Sequence, residues 1–409
     1  MVGLGRATTR VATLVIVTAS PDWMAEHFEI LQHRTLLEIT LPGSHNSGNY
    51  QGGLHADLLC ESDYKYGEYL GSASSHLLQE SGRPLLSQAE FDRRMIPWNI
   101  NHFRPINAQL SEGVRFLHLK ICNFGAPGAP TMDLGTVHFQ HRGYTTRETV
   151  ASTLQELRAF LDAHPKEIVI LGFNNLHNRA SKSFGEMDIA ALAVALETSI
   201  GPENLISREQ LYRQTLRELV EANRRIAVFL KGAPQDLGHI IPSELALEEN
   251  WSPVMASGDL TGAKAWLLKD LKTSAVQRDR FYVMQANPNN AEEKMYERMN
   301  ANSSPASNLD FLEKFLQDLP ALILQAAHEE PRIQINVIDS DFLNISNPYA
   351  TAMELMMPTR ALTEGSTGLT GLGFWILGLL SLCGLLACTA FLARRSRSNG
   401  YDHRFANDL

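Results

Sequence analysis

The stretch that decides the fold is "TTRETVASTLQELRAFLDAHPKEIVILGFNN", residues 145–175. Its first part predicts an amphipathic helix, because Thr145 and Glu148 have the spacing of a capping box and Pro165 ends the run. The apolar residues of that helix share one face: Val150, Leu154, Leu157 and Leu161. The second part, "EIVILGF" at 167–173, is short, apolar and β-branched, which is typical of a buried strand. A helix followed at once by a buried strand indicates an α/β unit.

The same alternation continues on both sides of this stretch. Further strand candidates are Thr35–Leu41, Val114–Cys122, Thr136–His141, Arg225–Leu230, Arg280–Gln285 and Arg332–Ile338. A second capping box, Ser207 with Gln210, opens another helix, whose apolar residues are most simply core residues: Leu211, Leu216, Leu219 and Val220. This pattern predicts a parallel α/β architecture, and a (β/α)8 TIM-type barrel suits the number of strands better than an open doubly wound sheet. The open sheet is the alternative, but no Gly-x-Gly-x-x-Gly turn follows the first strand.

Composition and charge limit the classes of function. The chain has 409 residues and is 44% apolar, which is enough for a sizeable core in one large domain with attachments, or in two ordinary domains. Its formal net charge is −9, and it has no basic patch rich in aromatic residues. Nucleic-acid partners are therefore not expected.

The C-terminal part of the chain predicts a membrane segment. Residues 366–393 carry no charge over a length sufficient to cross a bilayer, and several arginines follow them. This pattern predicts a juxtamembrane linker at 357–367, a transmembrane helix at 368–393 and a basic cytosolic tail at 394–409. A buried core helix is the alternative for the apolar segment.

The N-terminal residues give an indication of the cellular compartment of the protein. Residues 1–20 combine basic residues, a short apolar run and small residues, which together resemble a weak signal peptide; a first strand or an ordinary N-terminus is the alternative. With a signal peptide, the body at 21–356 would be the extracellular or lumenal domain of a single-pass membrane protein. Glycosylation sequons at Asn250, Asn302 and Asn344 agree with that compartment but add little weight.

The cysteines do not form a disulfide scaffold. Of the four in the chain, Cys383 and Cys388 fall in the predicted transmembrane helix. Only Cys60 and Cys122 remain for the body. A single bridge between them is an option that the sequence leaves open.

Polar side chains close most of the apolar runs, and in a barrel the chemistry gathers at the carboxyl ends of the strands. The candidates at these ends are His45, Asn46, Arg115, His118, Lys120, His141, Asn174, Asn175, Lys231, Gln285, Asp339 and Asp341. Two histidines, several cations and a carboxylate at one mouth suit phosphodiester chemistry. One imidazole can remove a proton and the other can donate one, while a cation stabilises charge on the phosphoryl oxygens.

Several segments together indicate a family. They are, in order, "LPGSHNSGNY" (41–50), "SEGVRFLHLKI" (111–121), "HFQHRG" (138–143), "LRAFLDAHPKEIVILGFNN" (157–175), "WSP" (251–253), "YVMQAN" (282–287) and "INVIDSDFL" (335–343). Over about residues 23–343 the chain resembles the phosphatidylinositol-specific phospholipase C X-domain proteins, in their small single-domain eukaryotic branch. The resemblance implies a distorted (β/α)8 barrel that cleaves an inositol phospholipid or glycolipid in two steps, through an inositol cyclic phosphate.

Catalytic roles follow from this resemblance. It implies that His45 deprotonates the inositol 2-hydroxyl, that Asp341 orients His45, and that His141 protonates the departing diacylglycerol oxygen. Lys120 would stabilise the charge on the phosphate. His138, on the same strand as His141, is the reserve candidate for the acid.

Five other side chains at the predicted strand ends are expected to contact the substrate: Asn46, His118, Asn174, Lys231 and Gln285. Arg115 is expected to pack structurally. The chain departs from the family at His118 and Lys120, where the usual pair is an acidic residue followed two places later by arginine or by another acid. In calcium-dependent members both positions supply carboxylate ligands, which neither residue offers, so no calcium, no other metal ligands and no cofactor are expected.

Two rival functions remain open at this point. The unusual His118 and Lys120 pair motivates a catalytically impaired pseudoenzyme that binds lipid head groups without turnover. A glycerophosphodiesterase-like enzyme on a similar barrel would need a cluster of carboxylates around a metal, and the strand ends predicted from the sequence contain no such cluster.

Overall fold

The computed structural model describes residues 19–179, 183–235, 238–276, 279–303 and 306–357. The predicted signal peptide lies outside these residues except for its last two positions. The predicted linker beyond residue 357, the transmembrane helix and the tail also lie outside them. The domain boundaries predicted at the two ends of the chain therefore stay predictions.

The described strands form one sheet of mixed direction. They are β1 (Leu41–Ser44), β2 (Leu54–Leu59), β3 (Phe116–Asn123), β4 (Val137–His141), β5 (Tyr144–Thr149), β6 (Val169–Asn178), β7 (Ile226–Leu230), β8 (Ile241–Pro242), β9 (Leu247–Glu249), β10 (Phe281–Ala286) and β11 (Val337–Ser340).

Parallel pairing runs continuously through the strands β8, β7, β6, β3, β1, β11, β10 and β9 in that order. This is the order of a barrel whose strands follow one another along the chain. Among the described residues no pairing joins β8 to β9, so the sheet is open at this seam. The α/β class is confirmed, and all the parallel strands present their carboxyl ends at one edge.

Antiparallel strands extend the sheet beside β3. Strand β4 pairs with β3, β5 with β4, and β2 with β5. His141 therefore ends an antiparallel strand, and the prediction that it lies at the carboxyl end of a parallel barrel strand is wrong. The physical reason is that residues 124–136, which connect β3 to β4, form a loop with one 3-10 turn, Leu134–Thr136, and no α-helix, whereas a parallel return usually contains a crossover helix.

The described α-helices are α1 (Trp23–Glu26), α2 (Phe28–Leu31), α3 (Tyr66–Leu70), α4 (Ala73–Glu80), α5 (Gln88–Asn99), α6 (Ile106–Ser111), α7 (Val150–Ala163), α8 (Glu186–Ile200), α9 (Arg208–Arg213), α10 (Leu216–Glu221), α11 (Ser243–Ala246), α12 (Leu260–Thr273), α13 (Glu292–Ala301), α14 (Asn308–Glu329), α15 (Leu343–Ser346) and α16 (Pro348–Met356). Most of them connect successive strands, as an α/β fold requires.

The predicted localisation, a single-pass membrane protein, needs correction. No helix formed by the described residues is long and apolar enough to reach across a bilayer. The longest of them, α14, has 22 residues, but charged side chains such as Asp310, Lys314 and Asp318 interrupt its sequence. The segment predicted to span, 368–393, is not among the described residues.

Two helix starts differ from the prediction. The cap of helix α7 lies four residues later than predicted, because Thr149 and Ser152 form the capping box and Thr145 belongs to β5. The capping box of Ser207 and Gln210 is confirmed. The helix that it opens ends at Arg213, and a second capping box, Thr215 with Glu218, starts α10.

Strand β3 shows how the core positions the cleft. Side chains alternate along a strand, so Leu117 and Leu119 face one way and join the buried cluster formed with α7 and α8. Phe116 faces the other way and joins the second large cluster. His118 and Lys120 continue that side toward the carboxyl end, where both line a cleft. The alternation therefore places the ring of Phe116 below His118 and Lys120 on the same side of β3.

Two further contacts fix the body of the fold. Arg115 is fully buried, and its Nε donates to Oε2 of Glu167 at 2.8 Å, which confirms that Arg115 packs structurally. Cys60 and Cys122 form a disulfide that joins the end of β2 to β3. The bridge that the sequence left open is thus part of the structure.

Candidate active site

A cleft of about 550 Å³ opens where the parallel strands end. Most of the side chains predicted to act at the strand ends line it: His45, His118, Lys120, Asn174, Lys231 and Gln285. The structure therefore brings these residues together, although they are spread over 241 positions of the sequence, from 45 to 285. Their roles stay predictions.

His45 follows β1 directly and is held by a carboxylate from the end of β11. Its Nδ1 lies 2.8 Å from Oδ1 of Asp341 and donates to it. Asp341 accepts two further hydrogen bonds, from the amides of Asn101 at 2.9 Å and Asn308 at 3.3 Å. Since Nδ1 carries the shared proton, Nε2 of His45 is left as the basic nitrogen.

The protonation of this pair follows from its burial. Desolvation, with Lys120 as the next contributor, lowers the pKa of His45 well below its usual value. Desolvation raises the pKa of Asp341 to about 6, against the opposing effects of His102 and the amide of Asn101. His45 is therefore unprotonated at neutral pH, which is the form that a general base needs.

A further histidine, His102, holds the backbone of His45. Its Nε2 donates to the carbonyl oxygen of His45 at 2.7 Å. Its own pKa is lowered by burial. The sequence offered no sign of this role, because His102 lies in a loop far from any predicted strand end.

His118 lies beside His45, with ring centroids 5.2 Å apart. Its Nδ1 is 2.9 Å from Oδ2 of Asp339, and its Nε2 is 3.8 Å from Oε1 of Glu249 and in contact with the amide of Asn174. Although burial acts against it, Asp339 and Glu249 raise the pKa of His118 above its usual value.

Lys120 supplies positive charge at the wall of the cleft. Burial lowers its pKa to about 8, and the neighbouring Arg142 acts in the same direction. Arg142 also lines the cleft. Both cations are placed to attract an anionic oxygen, as phosphoryl chemistry requires.

His141 lies close to these groups but does not line the cleft. It is 5% exposed, and its Nδ1 faces the carbonyl oxygen of Asn99 at 3.3 Å. Burial lowers its pKa well below the usual value, and the charges of Lys120 and Arg142 lower it further. In the free protein His141 is thus a neutral, buried imidazole that is not among the residues lining the cleft.

Two other candidates also lie outside the cleft lining. His138 packs edge-on against Phe124, and its Nδ1 lies 3.0 Å from the carbonyl oxygen of Thr146. Asn46 is fully buried with a left-handed backbone, φ 49°, and its amide donates to Asn101. Asn46 is therefore placed to support the loop of His45.

Several residues that line the cleft were not predicted from the sequence. Glu249, Arg142, Trp251, Asn289 and Asn290 all line the cleft. Glu249 ends a strand of three residues, which is too short to stand out by its pattern. Trp251 belongs to the quoted "WSP" segment and Arg142 to the quoted "HFQHRG" segment, and these two segments were the signals available for the missed residues.

The family comparison matches the middle of the chain. The PI-PLC X 1 family model matches residues 97–240. PI-PLC X domain-containing protein 1 of Mus musculus is 30% identical over 156 residues, which are 38% of this chain and 39% of that protein. The Homo sapiens protein of the same name is 26% identical over 212 residues, 51% of this chain and 56% of that protein. The matches thus span less than two thirds of these relatives.

Solved structures match over a longer range. A mutant of the phosphatidylinositol-specific phospholipase C from Staphylococcus aureus aligns with a TM-score of 0.53 and 15% identity, covering 82% of this chain and 96% of that chain. A double mutant of the same enzyme aligns with a TM-score of 0.51 and 16% identity, covering 81% and 97%. At this identity the likeness shows the fold.

Proposed function

Because this chain belongs to the PI-PLC X-domain family, we propose that it is a phosphoric diester hydrolase of the phosphatidylinositol-specific phospholipase C type, built on a distorted (β/α)8 barrel. The substrate is an inositol phospholipid or glycolipid presented by a bilayer. The observation that carries this proposal is the pair of His45 and Asp341 beside the cleft, with the ammonium of Lys120 in the same wall.

In the proposed first step, Nε2 of His45 removes the proton from the inositol 2-hydroxyl. The hydroxyl oxygen then attacks the phosphorus and the bond to the diacylglycerol oxygen breaks, which gives diacylglycerol and an inositol cyclic phosphate. Asp341 stabilises the imidazolium that forms on His45. Lys120 and Arg142 stabilise the charge that gathers on the phosphoryl oxygens.

His141 is proposed as the acid that protonates the departing oxygen. Its neighbours Lys120 and Arg142 disfavour its protonated form in the free protein. A bound phosphodiester brings a negative charge next to these cations, which favours the imidazolium. In a second step the roles reverse and water opens the cyclic phosphate. Calcium has no part in the proposed reaction, because Lys120 supplies the positive charge.

A second candidate function is a head-group-binding protein without turnover. The observations that favour it are that His141 is not among the residues lining the cleft and that burial and neighbouring cations disfavour its protonated form. Such a protein would use the same cations and carboxamides to hold the phosphate and the inositol.

The test is an assay of inositol phosphate release from vesicles that contain labelled phosphatidylinositol, with a chelator present. We expect His45→Ala and His141→Ala each to lower the rate on the order of 10²- to 10⁴-fold. His138→Ala is the matched control, because it removes the same side chain three residues away from His141 on the same strand.

Unchanged release in either of the first two variants would exclude the two-histidine mechanism. Vesicle binding by the wild-type protein, with no product at any calcium concentration, would instead favour the head-group-binding function. Loss of release on chelation alone would contradict the metal-independent step.

A further inference from the structure

Three potential metal ligands meet in the wall of the cleft. His118 comes from β3, Asp339 from β11 and Glu249 from β9. One ligand atom from each lies within 4.8 Å of the others. Asp339 is fully buried, His118 is 3% exposed, and Glu249 borders the cleft. Side chains from three separate strands therefore bring one nitrogen and two carboxylate oxygens close together.

Two buried side-chain oxygens of residues that contact His118 have no hydrogen-bond partner in the described part of the chain. The Oδ1 of Asp339 and the Oδ1 of Asn174 are buried and accept no hydrogen bond. The first belongs to the cluster, and the second to a residue whose amide touches the ring of His118. A buried carboxylate oxygen without a donor is costly, and a bound cation would remove that cost.

We propose that His118, Glu249 and Asp339 bind a divalent transition-metal ion, with Zn²⁺ as the best fit. One imidazole nitrogen and two carboxylate oxygens are ligands that zinc accepts in four-coordinate sites whose last position stays open. Ligand atoms at a tetrahedral zinc are about 3.4 Å apart, so side-chain rotations would close the cluster around the ion. The hydrogen bond between Nδ1 of His118 and Oδ2 of Asp339 at 2.9 Å would break, and its proton would be released to solvent. Calcium is disfavoured, because it takes oxygen ligands and more of them.

The site differs from the calcium site of the calcium-dependent members of the family that this chain resembles. There the second strand provides carboxylates at positions 118 and 120, whereas here it provides one imidazole and the ammonium of Lys120. That ammonium repels a cation in the cluster, and the carboxylates of Asp339 and Glu249 oppose the repulsion. The ion would lie next to His45, with its open position toward the cleft. The site does not depend on turnover.

The test is binding of Zn²⁺ to the chelator-treated, untagged full chain, measured by calorimetry and by metal analysis. We expect one equivalent per chain. Glu249→Gln and His118→Ala should weaken binding by more than the 10- to 100-fold that is typical when an outer-shell partner is lost. Bound Co²⁺ should give the visible absorption of a four-coordinate site, and excess Ca²⁺ should not displace it.

His138→Ala is the matched control and should leave the affinity unchanged, since His138 lies outside the cluster. Glu249 is 24% exposed at its side chain, so Glu249→Gln is expected to fold even where His118→Ala does not. Absence of stoichiometric binding, or equal affinity of the wild type and Glu249→Gln, would overturn the proposal. Because the readout is binding, a failure of the proposed hydrolase activity would not affect it.

Discussion

At the scale of single residues, His45 is held from two sides. Asp341 binds its ring, and His102 binds its backbone carbonyl. The two contacts have different origins in the sequence: Asp341 closes a predicted strand, whereas His102 lies in a loop. The first could be predicted from the rule that strand ends meet at one edge. The second could not, because the approach of one loop to another depends on the complete fold.

The position of His141 predicts the dependence of activity on pH. An acid must carry its proton, and the pKa of His141 is held well below its usual value by burial, Lys120 and Arg142. Above that pKa the protonated fraction falls about tenfold per pH unit, and kcat/KM reports the free enzyme. We therefore expect kcat/KM to decline through neutrality as pH rises, measured on vesicles at constant ionic strength.

Because the pKa of His141 is lowered, the decline should begin at a lower pH than it would for an exposed histidine acting as the acid. A kcat/KM that stays constant between mildly acid and mildly alkaline pH would show that His141 is not the acid in the free enzyme. The mutation His138→Ala should leave the profile unchanged, since His138 bonds to a backbone carbonyl outside the cleft.

At the scale of elements, the long apolar strands were predicted better than the short or polar ones, and the predicted strand Thr35–Leu41 is wrong, because Leu36–Glu38 forms a 3-10 turn and β1 begins at Leu41. Strands such as β6 and β7 are continuous apolar runs, because both of their faces are buried. Strands β2 and β5 have the sequences LHADLL and YTTRET, which lack that signal. The three-residue β9 is too short for any periodicity, and it carries Glu249. The elements missed by the sequence therefore carry part of the site.

Strand β1 depends on a glycine for its place next to β11. A Cβ at Gly43 would lie 2.5 Å from Cγ1 of Val337 and 3.1 Å from the carbonyl oxygen of Ile338. We expect Gly43→Ala to separate the two strands and to lower the free energy of unfolding by about 1–3 kcal/mol. His45 follows two residues later, so a shift of about 1 Å should also lower kcat/KM on the order of 10²-fold.

Gly67→Ala in α3 is the matched control. A Cβ there meets no atom within 4 Å, and replacing a helical glycine by alanine should stabilise the protein by about 0.5–1 kcal/mol. Urea denaturation followed by circular dichroism measures both changes. Equal stability of the two variants would show that β1 is free to move away from β11.

At the scale of the whole molecule, the order of elements was predictable and the sheet edges were not. The alternation of helices and strands led to the α/β class. The antiparallel addition to β3 was not visible, because it depends on a connection without a helix. The disulfide was left open by the sequence, since two cysteines 62 residues apart give no information on their distance in space.

This disulfide predicts a dependence of stability on redox conditions. Closing a loop of this length constrains the unfolded chain, and loss of such a bridge typically costs about 2–4 kcal/mol. We expect the wild type under reducing conditions to lose about that much free energy of unfolding, measured by urea denaturation. The double variant Cys60→Ser with Cys122→Ser should match it and should not respond to reductant. Identical stability of the oxidised and reduced wild type would contradict this expectation.

The open seam has a consequence for how related chains can differ in length. The strands on either side have only two and three residues, and in the described residues no hydrogen-bonded ladder connects them. Residues inserted between 242 and 247 would therefore shift no strand register, whereas an insertion inside β3 or β6 would move every side chain beyond it to the opposite face. Residues 243–246 form α11, in which Ala246 is fully buried, so an insertion or deletion there would displace this helix and the rim near Trp251, while the ladders of the remaining sheet would keep their register.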